Sequence, residues 1–146
     1  MSSVTLELDD IYKLAHDVMM ANGCDADNAA ALADIICRAE RDGSHSHGLF
    51  RVPGYVKALR SGKVDGKAKP TAKHLTPAVI QVDGNGCFAP LAQAVGLPLL
   101  ADATGKIGIA ALSLVGIHHF AALWPETEYM ADRGFVGLAC TAYMPM

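Results

Sequence analysis

The pattern of apolar residues changes close to residue 62 of this 146-residue chain, and that change limits the possible folds most. Up to that point apolar side chains recur three and four residues apart, as is typical of amphipathic helices. Residues 62–77 then combine glycines, prolines and lysines, and beyond them short apolar runs alternate with helical patterns. We therefore expect an α/β protein in three parts, with a helical arm over 1–62, a connection over 63–77 and an α/β domain over 78–146.

Three helices are predicted in the arm, each bracketed by residues that favour helix ends. These residues are Asp9 or Asp10 and Asn22-Gly23 for the first helix, Asp25 and Gly43 for the second, and Ser61-Gly62 for the third. The third helix covers about residues 47–60, with Pro53 either kinking it or opening its regular part. The side chains expected to face the core are Ile11, Leu14, Ala15 and Val18, then Leu32, Ile35, Ile36 and Ala39, then Leu49, Val52, Val56 and Leu59.

The remainder of the chain predicts alternating strands and helices. They are a strand Ala78–Val82, a turn Asp83–Gly86, a helix from near Pro90 to Thr104-Gly105, a strand Ile107–Val115, a helix within Ala121–Arg133 and a strand Phe135–Thr141. The last three are typical of a parallel βαβ unit. No G-x-G-x-x-G motif opens a helix after a strand, which argues against a Rossmann dinucleotide site.

Ser44-His45-Ser46-His47-Gly48-Leu49-Phe50-Arg51 carries two imidazoles, two hydroxyls and a guanidinium in eight residues. Histidine exchanges protons near neutral pH, and an arginine fork binds a planar carboxylate. In a helical segment His47 and Arg51 would share one face, with Tyr55 one turn further on. The same composition also fits a capping turn between two helices, so the residues alone leave both interpretations open.

A second pair of histidines, His118 and His119, follows the apolar run that ends at Val115. Ligands of open α/β sheets collect at the carboxyl ends of strands, which strengthens the functional interpretation. A zinc site made of these histidines with His45 and His47 is a weaker alternative, since no cysteine or paired carboxylate stands at ligand spacing.

Two long segments, RAERDGSHSHGLFRVPGYVKALRSGKV and HHFAALWPE, resemble the malate/L-lactate/ureidoglycolate dehydrogenase family, which does not use a Rossmann fold. Within it they are most similar to the Δ1-piperideine-2-carboxylate/Δ1-pyrroline-2-carboxylate reductases. The resemblance implies a helical arm followed by part of a mixed-sheet NAD(P)-binding domain, and a homodimer with its site partly at the subunit contact. Family members are more than twice as long, so we expect this chain to be the front part of such an enzyme.

The resemblance also implies roles for individual residues. His47 matches the family's proton donor and Arg51 its clamp for the substrate carboxylate. Ser44 and His45 match a hydroxyl–imidazole relay whose acidic member would lie beyond Met146. The cofactor contact would be His118, His119, Phe120, Ala121 and Ala122.

The implied reaction is hydride transfer from NADPH, or NADH, to C2 of a cyclic imine carboxylate, giving pipecolate or proline. A malate- or lactate-type dehydrogenase acting on a 2-hydroxy acid is the close alternative. A non-catalytic remnant is a third, because the relay acid and most cofactor contacts are missing, and we expect little reductase activity from the chain alone.

Composition limits the class of partner. The net charge of −3 gives no electrostatic footprint for nucleic acid, so a small carboxylate is the expected partner. No apolar run is long enough for a membrane span, and no secretory signal is visible, which favours the cytoplasm. The four cysteines lack zinc or disulfide spacing and are expected to be reduced thiols.

Overall fold

The arm is a three-helix unit in the computed structural model, which describes residues 4–118 and 122–141. Its helices are α1 (Leu8–Ala21), α2 (Ala26–Arg41) and α3 (Val52–Arg60), with two 3₁₀ turns, His45–His47 and Leu49–Arg51, between α2 and α3. The helices enclose one apolar core built on Ile11, Ala15, Met19, Leu32, Ala33, Ile36, Tyr55 and Phe88. Phe88 comes from beyond the arm, so this core joins the helices to the rest of the chain.

The ends of α2 follow the predicted chemistry. The Asp25 side chain accepts a hydrogen bond from the backbone N–H of Asn28 at 3.0 Å and so caps the helix. Gly43 lies just past the C-cap with φ +72, a conformation that favours glycine. The predicted cap of α1, Asp9 or Asp10, is wrong by two or three residues, because Glu7 is the N-cap. Asp9 and Asp10 lie in the first turn, where carboxylates interact well with the helix dipole.

The predicted continuous helix over 47–60 is not formed. Regular α-helix begins only at Val52, and Gly48, with φ −89 and ψ −137, separates the two 3₁₀ turns. Pro53 explains this because it has no N–H to donate to the carbonyl four residues earlier and restricts the residue before it. It opens the regular part of the helix, as one of the two predicted options had it.

A three-stranded mixed sheet follows the arm, with strands β1 (Thr71–Thr76), β2 (Val79–Asp83) and β3 (Ala111–Val115) in the order β1-β2-β3. β1 pairs antiparallel with β2, and β2 pairs parallel with β3, with Ile80 opposite Leu112. Strand β1 lies inside the predicted connection. Its six residues are all exposed and mostly polar, so no apolar pattern marked it as a strand.

Helix α4 (Ala89–Ile107) connects β2 to β3 and covers one face of the sheet. A Cβ at Gly96 would lie 2.8 Å from the Leu112 methyl groups, so glycine there permits close contact between helix and sheet. The helix continues to Ile107, and β3 starts four residues later than predicted. Gly108, at φ +90, ends the helix and explains the shift.

Helix α5 (Trp124–Ala131) lies within the predicted range. The predicted strand Phe135–Thr141 is wrong, since residues 135–141 have no strand structure. Among the described residues no strand pairs with this segment, and the Val136 and Leu138 side chains are 102% and 94% exposed. The βαβ unit is therefore β2-α4-β3, and the one predicted over 107–141 is not present. No helix in the described ranges has the length and apolar character needed to cross a membrane.

Candidate functional site

The Ser/His/Arg segment folds as two short turns set against the end of α2. The Ser44 N–H donates to the carbonyl of Ala39 at 2.8 Å, and the His47 N–H donates to the carbonyl of Ser44 at 2.8 Å. These contacts turn the chain back over the last turn of α2 before α3 begins. The functional side chains therefore lie on irregular backbone held between two helices.

His47 is surrounded by hydroxyl groups. Its Nδ1 lies 3.0 Å from Ser46 Oγ and 3.3 Å from Ser44 Oγ. Sequence reasoning assigned Ser44 to His45 and gave Ser46 no role. The structure places both serines at His47, and the adjacency of Ser46 and His47 in the sequence was the available signal.

His45 has an acidic partner within the chain. Its Nδ1 lies 2.5 Å from Glu40 Oε2, on the last turns of α2. The resemblance had implied an acid beyond Met146 for this histidine. Glu40 stands five residues before His45 in the same motif but was not singled out.

Arg51 reaches the histidine turn by its side chain. Its Nε donates to the carbonyl oxygen of Ser46 at 2.8 Å. The helical i, i+4 register expected for His47 and Arg51 does not exist, because both residues lie in 3₁₀ turns. Both are instead tied to Ser46, His47 through the hydroxyl and Arg51 through the carbonyl.

Trp124, the first residue of α5, contacts this segment. Its ring lies edge-on to His47, with centroids 6.1 Å apart and an interplanar angle of 78°. Its Nε1 donates to Asp42 Oδ2 at 3.1 Å. Trp124 therefore both opens α5 and contacts the Ser/His/Arg segment directly.

His118 follows β3, at the carboxyl end of the parallel pair, as predicted. Its backbone N–H donates to Cys87 O at 2.9 Å and its carbonyl accepts from Ala89 N at 3.2 Å. The ring is 6.0 Å from the Phe88 ring, and burial, followed by the charge of Lys63, lowers the pKa of His118 below its ordinary value. Ala122 is buried, and His119, Phe120 and Ala121 lie outside the described residues.

Tyr55, one turn beyond Arg51, lies in the hydrophobic core of the arm. It is 2% exposed, its ring packs edge-on against Phe88 at 5.3 Å, and burial raises its pKa to about 12. Arg51 is close enough to oppose that shift by its charge. The rings of Tyr55, Phe88 and His118 therefore pack in series, from α3 to the segment after β3.

The motif residues line neither of two surface grooves formed by the described residues. One groove of about 250 Å³ lies between α2, α4 and α5, and another of about 480 Å³ lies between α1, α2 and α5. In the described part of the chain no three His, Cys, Asp or Glu side chains are grouped to hold a metal ion. Cys24, Cys37, Cys87 and Cys140 are free thiols.

Several curated proteins are similar in sequence to this chain. A Δ1-pyrroline-2-carboxylate reductase of Ancylobacter novellus is 43% identical over 145 residues, covering 95% of this chain and 42% of that protein. One of Pseudomonas fluorescens is 40% identical over 136 residues, covering 93% of this chain and 40% of that protein. The chain therefore spans about two fifths of the length of these curated relatives.

Solved structures agree in fold. The Δ1-piperideine-2-carboxylate reductase of Pseudomonas syringae pvar. tomato superposes with a TM-score of 0.87 at 41% identity, over 90% of this chain and 40% of that one. The malate dehydrogenase of Entamoeba histolytica has a TM-score of 0.84 at 22% identity, over 91% of this chain and 37% of that one, and shows the shared fold alone. Residues 6–146 match the malate/L-lactate dehydrogenase family, and the chain belongs to it.

Proposed function

We propose that this chain forms part of an NAD(P)H-dependent oxidoreductase that reduces cyclic imine carboxylates, Δ1-piperideine-2-carboxylate and Δ1-pyrroline-2-carboxylate, to pipecolate and proline. The observation that carries the proposal is the tie of His47 and Arg51 to one residue, Ser46, on adjacent turns. A proton donor and a carboxylate clamp held at one place are what such a substrate needs. The names of relatives at 40–43% identity support the substrate class.

In this proposal Arg51 orients the substrate. Its Nε is held by the Ser46 carbonyl, which leaves the terminal guanidinium nitrogens for the two oxygens of a carboxylate. The ring of the substrate would thereby be held with its C2 atom towards the cofactor. Bidentate binding restricts rotation of the substrate, which lowers the entropic part of the barrier.

His47 supplies the proton. Its Nδ1 faces the Ser46 and Ser44 hydroxyls, so Nε2 is the ring nitrogen that can reach the substrate. Hydride addition to C2 converts the C=N bond to C–N, and the electron pair left on the ring nitrogen takes a proton from His47. A hydroxyl at Nδ1 can accept from the protonated ring and donate to the neutral ring, so it serves both states.

NADPH or NADH supplies the hydride when bound. The residues present fit one edge of such a cofactor: the imidazole of His118 packs beside Phe88 at the carboxyl end of the parallel strands. The His118 backbone groups are both paired with residues 87 and 89, so its side chain would make the contact. Residues 118–122 are the proposed cofactor segment, and the choice of NADPH over NADH is also part of the proposal.

A malate- or lactate-type reaction would use the same two residues, with the proton going to oxygen instead of nitrogen. The imine is favoured because the relatives at 40–43% identity are named for it, while the malate dehydrogenase neighbour is 22% identical. A cytoplasmic homodimer that completes the site is the proposed assembly. Sedimentation of the enzyme that contains this chain would test the dimer.

A chimera tests the proposal. The chain replaces the matching segment of the Pseudomonas syringae reductase, and NADPH oxidation is followed with the two cyclic imines and with 2-keto acids. We expect imine reduction to dominate, and His47→Ala to slow it by about 10²–10⁴-fold. A chimera that reduces only 2-keto acids would favour the malate/lactate alternative, and a folded chimera with no turnover would favour a non-catalytic chain.

A further inference from the structure

Glu40 makes two contacts that connect the turns on either side of His47. Its Oε2 lies 2.5 Å from His45 Nδ1, and its Oε1 accepts the backbone N–H of Leu49 at 2.7 Å. We infer that Glu40 is a positioning residue of the motif, fixing the Nδ1–H tautomer of His45 and holding the two turns together. The importance of this for catalysis rests on the function proposed above.

The tautomer follows from what a carboxylate can do. An ionised glutamate only accepts hydrogen bonds, so the proton between Glu40 and His45 must come from the ring nitrogen Nδ1. In a neutral ring Nε2 then carries the lone pair. The Glu40 side chain is 14% exposed and that of His45 is 74% exposed, so the carboxylate is sheltered while the imidazole faces outward. His45 thus presents a hydrogen-bond acceptor on the open side of the motif.

Gly48 provides the space for this arrangement. A Cβ built at Gly48 would overlap the Glu40 carboxylate, and the φ of −89 is one that any residue adopts. A Cβ there would displace the Glu40 carboxylate from its two contacts. The turn that carries His45, the turn that carries Leu49 and the Glu40 side chain pack as one unit.

The bridge also bears on His47. It spans from residue 45 to residue 49, and His47 is the middle residue of that span. Between the turns the chain has one further backbone link, from the Gly48 N–H to the His45 carbonyl at 3.2 Å. Loss of Glu40 would leave the turns joined by that longer bond and by the bond from Arg51 Nε to the Ser46 carbonyl, so the direction of the His47 ring would be less restricted.

Nitrogen NMR of the ¹⁵N-histidine-labelled chain tests the tautomer directly. Spectra are recorded in the alkaline range where the nitrogen shifts of the rings no longer change with pH, so that neutral rings are observed. We expect His45 in the Nδ1–H form. In Glu40→Gln the amide oxygen can keep the Leu49 contact while the NH₂ group donates to Nδ1, so His45 should switch to Nε2–H. His74, exposed on β1, serves as the internal reference, and Asp34→Asn on α2 removes a carboxylate without touching the motif.

Amide exchange gives an independent measure of the bridge. Protection of the Leu49 N–H should fall about ten- to hundredfold in Glu40→Ala, as expected for losing a bond to a charged acceptor, and be largely retained in Glu40→Gln. Gly48→Ala, which displaces the Glu40 carboxylate, should lower the protection of the Leu49 N–H as Glu40→Ala does. Gly54→Ala, where a Cβ meets open space, should leave both the protection of the Leu49 N–H and the tautomer of His45 unchanged.

Two results would overturn the inference. One is a wild-type His45 in the Nε2–H form, which requires no variant and so does not depend on whether a variant folds. The other is a folded Glu40→Gln with an unchanged tautomer. Neither result alters the activity of the chimera, and an inactive chimera would not alter the tautomer, so the two proposals fail separately.

Discussion

The indole of Trp124 stands edge-on to the imidazole of His47, while its N–H is bonded to Asp42. One side chain from α5 therefore touches both the end of α2 and the turn that follows it. Because α5 lies beyond the sheet in the sequence, this contact fixes the second part of the molecule against the arm at the predicted proton donor.

Replacing Trp124 by phenylalanine should weaken this junction. The phenyl ring keeps an aromatic edge near His47 but loses the hydrogen bond to Asp42, so we expect the free energy of unfolding to fall by about 1 kcal/mol. Urea unfolding followed by far-ultraviolet circular dichroism measures it. Tyr12→Phe, which removes a polar group from an exposed ring on α1, should change it by less than about 0.5 kcal/mol. Equal stability of Trp124→Phe and wild type would show that the Asp42 contact contributes nothing.

Arg51→Lys should damage substrate binding although the charge is kept. Lysine cannot reproduce the two parallel N–H groups, and it also loses the bond from Nε to the Ser46 carbonyl. In the chimera we expect kcat/KM for Δ1-piperideine-2-carboxylate to fall about ten- to hundredfold. Arg60→Lys is the matched control, since Arg60 donates two hydrogen bonds to Asn22 at the end of α1 and not to the Ser/His/Arg segment. An Arg51→Lys chimera as active as its parent would remove Arg51 from the clamp role.

Acid should selectively weaken the start of α2. Burial acts to raise the pKa of Asp25, but hydrogen bonds from Asn28 and Lys69 outweigh it and hold the pKa at about 2, below the ordinary 3.8. A lowered folded pKa means that this stabilisation is complete above about pH 4 and is lost as the pH falls towards 2. Because the Asp25 carboxyl is partly open to solvent, we expect the stabilisation lost in acid to be about 1 kcal/mol.

Thermal unfolding between pH 7 and 2 checks this prediction. Asp25→Ala should lower the melting temperature at pH 7, and its melting temperature should depend less on pH between pH 4 and 2. Asp25→Ser should keep most of the capping contribution. Asp27→Asn, two residues further along and paired with the same Lys69, controls for the loss of a charge. The same acid dependence in Asp25→Ala and wild type would contradict the assignment.

Local chemistry explains which elements of the fold were predictable. The cap at Asp25 and the left-handed Gly43 depend on neighbours in sequence, and both were predicted. Strand β1 depends on pairing with β2, so its polar sequence gave no sign of it. The apolar run after Phe135 resembled a strand, but strand structure also needs a pairing partner, and the described residues supply none.

The candidate site, too, could be predicted from the sequence only in part. Residue types identified the Ser/His/Arg segment, and adjacency placed it after α2. Its internal pairings depend on how Gly48 and Pro53 break the helix into two turns, which brings Ser46 to His47 and Glu40 to His45. A regular helix was the wrong template, so these partners could not be assigned.

Glu126→Gln should stabilise the protein at neutral pH. Burial raises the pKa of Glu126, and its Oε1 accepts from Gln93 at 2.6 Å. Because the pKa of Glu126 is higher in the folded protein than the ordinary value of 4.5, its contribution to stability is complete below pH 4.5. That contribution is lost as the pH rises through the pKa of the folded protein. The neutral amide avoids that loss, so its melting temperature should exceed that of wild type at pH 7 and approach it near pH 4. A lower melting temperature at pH 7 would mean that the ionised carboxylate is favourable there.

Val136 and Leu138 should promote association of the isolated chain. Both side chains are almost fully exposed on the segment that follows α5, and apolar patches of this kind are sites of self-association. The double variant Val136→Lys, Leu138→Lys removes the apolar contacts and adds repulsion, so light scattering should show a smaller mean size at the same concentration. The free energy of unfolding should change by less than about 0.5 kcal/mol, because neither side chain is buried. Lysines at Ala131 and Thr141, which are exposed and less apolar, control for the added charge. If these control lysines reduce the size equally, net charge and not the two apolar side chains governs association.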